Sequence, residues 1–253
     1  MDAREVPPPP WLPPEREGRA RALSREAIVE AALRVLEREG PQGLSMRRVA
    51  RELGTGAASL YWHVQDKEQL IELLVDRVMS ELEPPPPDPS RWEEQLIEWG
   101  LRAREVLRRH PGVGALTLGR IPVGPNMVRW TEWLLGLLRA AGIPDRIAAF
   151  AGDLLGLYVG AFAMEEAMEL RAPTGETLPP ERIVGMLRSY FESLPPDRFP
   201  NIRETIDDLF AGGPDERYRL GMEVIVRGLA TYAREEGGGR RARRGTRPGG
   251  PGP

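Results

Sequence analysis

Apolar residues recur at spacings of three and four along most of this chain, and that periodicity constrains the fold more than any other feature. In the first such segment they form one face of a helix: Ile28, Ala31, Ala32, Val35 and Leu36. Later segments repeat the pattern, and none shows the period-two alternation that is typical of a half-buried strand. We therefore predict an all-α fold.

Capping residues and helix breakers divide the pattern into segments. Ser24 is a suitable N-cap, a second helix begins at Ser45, and Gly40 and Gly54 are expected to end the first two helices. The predicted helices cover residues 24–40, 45–54, 57–63, 66–83, 90–109, 125–141, 145–170, 180–192 and 215–234.

Both ends of the chain are rich in residues that do not pack. Residues 1–22 contain two proline runs and several arginines, and we predict a flexible arm there. Residues 237–253 combine glycine and proline with five arginines and no acidic residue, which predicts a disordered tail. Between them we predict two domains, residues 23–70 and 71–236, with a stiff proline connector near the start of the second.

The composition excludes several classes of site. The chain has no cysteine and only two histidines, His63 and His110, so a thiolate or multi-histidine metal site is not expected. We find no nucleophile–base pair and no phosphate-binding loop, and we predict no enzyme activity, metal or cofactor. Because the net charge is −3, any attraction to nucleic acid must be local. No apolar run approaches the ~20 residues of a membrane span, so we expect a cytoplasmic protein without a membrane partner.

Residues 45–63 form a helix, a three-residue turn and a second helix. Leu60 and Val64 would point to the core, leaving an outward side that is small and uncharged with one aromatic residue: Ala57, Ala58, Ser59 and Tyr61. A small side lets a helix lie deep in a major groove. Gly56 and Ser59 would offer backbone amides and a hydroxyl to phosphates.

Three basic side chains lie on the helices before and after the second helix of this unit. Arg47 and Arg48 project from the start of the preceding helix, where they could reach DNA. Lys67, the only lysine of the chain, begins the following helix, where its charge opposes the helix dipole and an external anion would offset the cost. The same outline occurs in ordinary helical bundles, so these features alone leave a purely structural role open.

One string is more specific than the helix pattern: Leu60–Val64 reads LYWHV and is followed three positions later by Lys67. Other residues fit with it: Ala31-Ala32, Gly40, Gly43-Leu44-Ser45, Arg47, Val49-Ala50, Leu53-Gly54 and Leu70. Together they resemble the DNA-binding domain of the tetracycline-repressor (TetR) family of bacterial regulators. A weaker resemblance to the tetracycline-repressor branch continues in the C-terminal part of the chain. The two resemblances imply a three-helix helix-turn-helix DNA-binding domain, followed by a helical-bundle ligand-binding and dimerisation domain.

The resemblance implies roles for residues near the helix-turn-helix. Arg47 matches a base-reading arginine, and His63 and Lys67 match phosphate contacts. The recognition-helix contacts of the family fall on Ala57, Ala58, Ser59 and Tyr61. Ala57 stands where the tetracycline repressors have a base-reading glutamine, so the operator sequence is not transferable. The arm arginines Arg16, Arg19 and Arg21 either enter the adjacent minor groove or belong to a solvated tail.

For the second domain the resemblance implies a homodimer with a four-helix interface. The corresponding segments here are residues 145–170 and 215–234. The latter is apolar over more than one face, which indicates burial on two sides: Leu220, Met222, Val224, Ile225, Val226 and Leu229.

A small-molecule inducer pocket is expected inside each regulatory domain. Its candidate lining residues are Trp99, Thr117, Met127, Trp130, Trp133, Tyr158, Phe162 and Glu165. An aromatic or methionine stripe at helical spacing is also typical of an ordinary core. The magnesium-ligating histidine of the tetracycline repressors falls on Thr117, so the resemblance points to a bulky, partly aromatic organic inducer and not to tetracycline–magnesium.

These observations predict a ligand-responsive transcriptional repressor that binds a palindromic double-stranded DNA operator as a homodimer. The alternative is a transcriptional activator, or a regulator controlled by a partner protein. A helical enzyme is a third class, but the residues show no catalytic constellation.

Overall fold

The computed structural model describes residues 23–120, 123–168 and 178–244, with side chains up to residue 233. Within those ranges the chain forms helices and turns and no strand, which confirms the all-α prediction. The helices are α1 Arg25–Gly43, α2 Met46–Glu52, α3 Ala57–Leu60, α4 Lys67–Met79, α5 Trp92–Arg109, α6 Val113–Thr117, α7 Pro125–Ala140, α8 Asp145–Ala167, α9 Pro180–Glu192, α10 Pro200–Glu204, α11 Ile206–Leu209 and α12 Pro214–Arg244. The predicted arm, residues 1–22, lies outside the described residues.

The capping residues act as the sequence predicts. The Ser24 hydroxyl accepts a hydrogen bond from the Ala27 amide at 3.2 Å, and the Ser45 hydroxyl accepts one from the Arg48 amide at 3.4 Å. Gly40 interrupts α1 with a φ of 69°, so the helix breaks at the predicted residue and a short turn follows it.

Two parts of the helix prediction were wrong. The backbone of α12 continues to Arg244, so the tail predicted from residue 237 is helical in its first part. Gly237–Gly239 have low helix propensity, so local propensity does not account for this continuation of the helix. The short helices α6, α10 and α11 were not predicted, because segments of four or five residues are too short to show a periodic pattern.

Helices α1 to α4 enclose one apolar core. Ile28, Val49, Leu60, Val64 and Leu74 are fully buried within it. Helix α4 packs on α1 at one end of this core and on α5, α6 and α7 of the second domain. It is therefore one route by which a change in the second domain would reach the first, beside the direct packing of α6 on α1.

The second domain is built around α8. This helix packs against α5, α6, α7 and α12. A β-carbon at Gly114 would lie 3.0 Å from the carbonyl oxygen of Gly160, so glycine at residue 114 permits the close approach of α6 to α8. Helix α8 has the length and mean hydropathy (1.7) of a membrane span, but its packing identifies it as the central helix of this bundle.

A histidine joins the two domains next to the end of α4. Nδ1 of His110 lies 3.2 Å from a carboxylate oxygen of Glu37 in α1, and Nε2 lies 3.0 Å from Glu81. Glu81 also accepts hydrogen bonds from Arg77 and Arg109. Partial burial acts to raise the pKa of Glu81, but the hydrogen bonds from His110 and Arg77 outweigh it and the pKa is lowered.

A Glu81→Gln variant should be less stable than the wild type at pH 6, with a deficit that shrinks on acidification. A lowered pKa in the folded state stabilises the protein above the unfolded pKa of about 4.3, and that stabilisation is lost as the pH falls through the folded value. Urea unfolding between pH 6 and pH 3 measures the difference. Glu83→Gln, at an exposed glutamate two residues away, is the control. A deficit that is the same at every pH would contradict a lowered pKa of Glu81 in the folded protein.

Candidate nucleic-acid interface and ligand site

Helices α2 and α3 meet at a tight turn that sets the outward direction of α3. Gly54 has a φ of 65°, a conformation that favours glycine, and the Thr55 amide donates to the Ala50 carbonyl at 2.9 Å. Leu60 is fully buried and anchors the inner side of α3. The predicted helix-turn-helix geometry is therefore present.

The outward side of α3 is exposed. Ala58 is exposed, Ser59 is half-buried, and the exposed fraction of Tyr61 is 53%. Ala57 differs from the prediction, because it is half-buried and packs against the core. It precedes Leu60 by three residues, which places it nearer the inner side of the helix. The outward surface of this helix consists of Ala58, Ser59 and Tyr61, with Gly56 exposed at its start.

The two arginines at the start of α2, Arg47 and Arg48, have different surroundings. Arg47 is exposed. Arg48 is half-buried, and its Nε donates to a carboxylate oxygen of Glu39 at 2.7 Å. Glu39 also accepts a hydrogen bond from Arg38 at 3.1 Å, so Arg48 belongs to an ion-pair cluster on α1. Arg47 is the better candidate for reading a base.

The predicted phosphate contacts lie next to α3. His63 is half-buried, and its Nδ1 is buried with no hydrogen-bond partner among the described residues. Lys67 is half-buried at the first residue of α4, where Asp66 caps the helix by accepting a hydrogen bond from the Gln69 amide at 2.8 Å. The arm residues Arg19 and Arg21 lie outside the described residues.

Three of the predicted ligand residues form a tryptophan cluster between α5 and α7. The ring centroids of Trp99 and Trp130 are 5.9 Å apart, and those of Trp130 and Trp133 are 5.2 Å apart. The indole N–H of Trp99 is buried and has no hydrogen-bond partner in the described part of the chain. Met127 is half-buried and packs against the same core.

The connector between α4 and α5 is held by Trp133 of this cluster and by Gln95 of α5. Trp133 donates to the Pro85 carbonyl at 2.7 Å, and the Gln95 amide donates to the Pro86 carbonyl at 2.8 Å. A shallow groove of about 430 Å³ runs between Pro84–Pro87 and α7, and among the predicted ligand residues only Trp133 lines it.

Tyr158 and Phe162 belong to a second aromatic cluster, which is centred on Tyr218. The ring of Tyr218 stacks on Tyr158 at 5.3 Å and meets Phe162 edge to face at 5.0 Å. Arg104 lies over Tyr218 at 4.9 Å and over Phe162 at 5.2 Å. Burial raises the pKa of Tyr218 far above its usual value, and its hydroxyl donates to the Gly100 carbonyl at 2.7 Å.

The remaining predicted ligand residues have structural partners. The Thr117 hydroxyl donates to the Gly114 carbonyl at 2.8 Å. Glu165 is exposed and lies 3.6 Å from Arg217. No group of acidic or histidine side chains suited to a metal ion occurs within the described residues. The eight predicted ligand residues therefore lie in three places. Four belong to the tryptophan cluster with Met127, two belong to the Tyr218 cluster, and Thr117 and Glu165 lie apart from both.

Two polar residues of this domain were not predicted. Arg104 is buried and donates to Glu166 at 2.9 and 2.6 Å and to Asp215 at 2.8 Å, which joins α5, α8 and α12. Asp76 of α4 accepts hydrogen bonds from Asn126 and Met127 at the start of α7. The only signal for this role in the sequence is that Arg104 falls among the apolar residues on the inward side of α5.

Two family models match the chain. Residues 28–74 match "Bacterial regulatory proteins, tetR family", and residues 85–233 match "Tetracyclin repressor-like, C-terminal domain". The first match contains α2, α3 and the exposed Arg47, and the second contains both aromatic clusters.

Curated relatives and solved structures agree with these matches. An HTH-type transcriptional regulator of Saccharopolyspora erythraea is 35% identical over 150 residues, which are 59% of this chain and 64% of that protein. The HTH-type transcriptional repressor DrrR1 of Streptomyces coeruleorubidus is 30% identical over 227 residues, 85% of this chain and 80% of the relative.

Apo ActR of Streptomyces coelicolor, 37% identical, covers 86% of this chain and 99% of its own with a TM-score of 0.76. ActR has also been solved in complex with actinorhodin, with a TM-score of 0.75 over 83% of this chain and 97% of that chain. The chain thus belongs to the tetracycline-repressor (TetR) family of transcription regulators.

Proposed function

We propose that this protein is a homodimeric repressor that acts in the cytoplasm, binds a palindromic operator through α3, and is released by an aromatic organic ligand. The observation that carries the proposal is the outward side of α3, which leaves Ala58 and Tyr61 exposed beside the exposed Arg47. A helix with a small outward side fits the major groove, and an adjacent arginine can bond to a guanine edge.

Exposed apolar faces of α8 and α12 support the homodimer. On α8, Phe150, Leu154 and Leu157 lie on one side of the helix and are exposed in the single chain. On α12, Leu220 and Val224 are exposed, whereas the opposite side of the helix is buried against α5 and α8. Exposed apolar faces are typical of protein–protein interfaces, and a second copy of the chain would cover those of α8 and α12.

The tryptophan cluster supports an aromatic ligand. Trp99 and Trp130 lie between two helices of the regulatory domain, and the unpartnered N–H of Trp99 would donate to a carbonyl or hydroxyl oxygen of a ligand. ActR binds actinorhodin, and its structure is similar to this one over most of both chains. We expect actinorhodin to release the protein from its operator, and tetracycline–magnesium to leave it bound, because Thr117 stands at the position of the magnesium-ligating histidine of the tetracycline repressors and its hydroxyl donates to the Gly114 carbonyl. Fluorescence anisotropy of a labelled operator measures both.

Arg47→Ala and Lys67→Ala should weaken DNA binding in different ways. Loss of a bidentate guanine contact by Arg47 is expected to weaken operator binding by about 1–3 kcal/mol and to leave random duplex unaffected. Loss of a phosphate contact by Lys67 should weaken binding to both duplexes and flatten the salt dependence. Anisotropy titrations at several salt concentrations separate the two effects. Equal losses on operator and random DNA for Arg47→Ala would contradict its role as a base reader.

A further inference from the structure

Asp76 of α4 caps the start of α7. One of its carboxylate oxygens accepts from the backbone amides of Asn126 at 2.9 Å and Met127 at 3.2 Å. The other accepts from the side-chain amide of Asn126 at 2.8 Å. The N-cap residue of α7 is Gly124, and any β-carbon there would overlap the Asp76 carboxylate. An acceptor from α4 therefore satisfies the amide donors that begin α7.

A second contact joins the same two helices one turn further along α7. The buried indole N–H of Trp130 donates to the Leu82 carbonyl at 3.1 Å. Leu82 is buried and lies just beyond the last residue of α4, Met79. Leaving either group of this buried pair without a partner would be unfavourable, so the bond fixes the end of α4 to α7.

Trp130 also faces the candidate ligand site. Its ring lies 5.9 Å from that of Trp99 in α5, at a tilt of 52°. A compound that enters between α5 and α7 and pushes on the Trp130 ring would displace this side chain. The same side chain would then move the Leu82 carbonyl at the end of α4.

We infer that Trp130 and Asp76 couple the ligand site to the DNA-binding domain by binding α7 to α4 at two points. A shift of α7 is passed to α4, which packs on α1 and so changes the position of α2 and α3. This inference rests on the proposed function, since it describes how ligand binding would reach the operator. Trp130 is a positioning residue in this account, because it acts on the DNA-binding helices through α4.

Trp130→Phe tests the inference, and Trp133→Phe is its matched control. Both replace a buried tryptophan of α7 by a smaller ring and remove one indole hydrogen bond. The two acceptors differ, because Trp130 donates to Leu82 at the end of α4, whereas Trp133 donates to Pro85 in the connector. Phenylalanine retains an aromatic surface at either position.

Hydrogen exchange of the ligand-free, full-length protein is the first measurement. The amides of Glu81 and Leu82 donate to Val78 and Met79 and close the end of α4. In Trp130→Phe we expect these amides to exchange about tenfold faster than in the wild type, while Trp133→Phe leaves them unchanged. Equal exchange in the two variants would overturn the inference.

Operator affinity with and without actinorhodin is the second measurement. At saturating actinorhodin the ratio of the two affinities should fall several-fold in Trp130→Phe and stay at the wild-type value in Trp92→Phe, which replaces a buried tryptophan of α5 outside the tryptophan cluster. A purely structural role would lower stability and leave that ratio unchanged. If the wild type itself binds no operator, the proposed function is wrong. If the wild type is released and Trp130→Phe is released to the same extent, only the coupling is wrong.

Discussion

Leu157→Arg is expected to convert the protein to a monomer and to weaken operator binding roughly 10²–10⁴-fold, because a monomer engages one half-site and loses the gain from simultaneous binding. Leu157 lies on the exposed side of α8 with Phe150 and Leu154. In a dimer that buries this side, an arginine would place two unpaired charges in an apolar interface. Analytical ultracentrifugation gives the oligomeric state, and anisotropy gives the affinity.

Val128→Arg is the control for this variant. Val128 is also exposed and apolar, but it lies on α7, outside the faces of α8 and α12 that we assign to the dimer. It should leave the sedimentation coefficient and the operator affinity at their wild-type values. A dimeric Leu157→Arg protein with wild-type affinity would contradict the assignment of this interface.

Arg104→Met is expected to lower the free energy of unfolding by about 3–5 kcal/mol, because it leaves Glu166 without the cation that compensates its charge. The exposed fraction is 6% for the Arg104 side chain and 19% for that of Glu166. The variant also loses the guanidinium contacts with Phe162 and Tyr218. Urea unfolding at a fixed, high protein concentration measures the loss and keeps dimer dissociation constant.

Two further variants make this result specific. Arg108→Met, at an exposed arginine one turn away on α5, should cost less than about 1 kcal/mol, since exposed ion pairs contribute little. Adding Glu166→Gln to Arg104→Met should recover part of the loss, because it removes the unpaired charge. If Arg104→Met were no worse than Arg108→Met, the buried network would not be stabilising the bundle.

Local signals in the sequence were sufficient for most of the helices and for the helix-turn-helix. Ser24 and Ser45 cap the helices they were expected to cap, and Gly54 adopts the left-handed conformation expected between α2 and α3. These features depend on residues a few positions apart, which a pattern can represent. Ala57 was misplaced because α3 is only four residues long and gives too little periodicity to fix its inner side.

The contacts between residues far apart in the chain could not be predicted in the same way. Asp76 meets Asn126 across 50 residues, and Arg104 meets Asp215 across 111 residues. Whether an acidic residue on α4 caps a distant helix depends on how the helices pack, and no local pattern represents that. The aromatic residues of the second domain were predicted as one set of ligand residues, and only packing separates the tryptophan cluster from the Tyr218 cluster.

Selection of duplexes from a random DNA library by the full-length protein tests the central claim most directly. We predict enrichment of a palindrome whose half-site centres lie about one helical turn apart, roughly 10–10.5 base pairs. Selection with Arg47→Ala should lose the preference at one position in each half-site. Enrichment of no sequence, or of a single asymmetric site that Arg47→Ala selects equally well, would contradict the account.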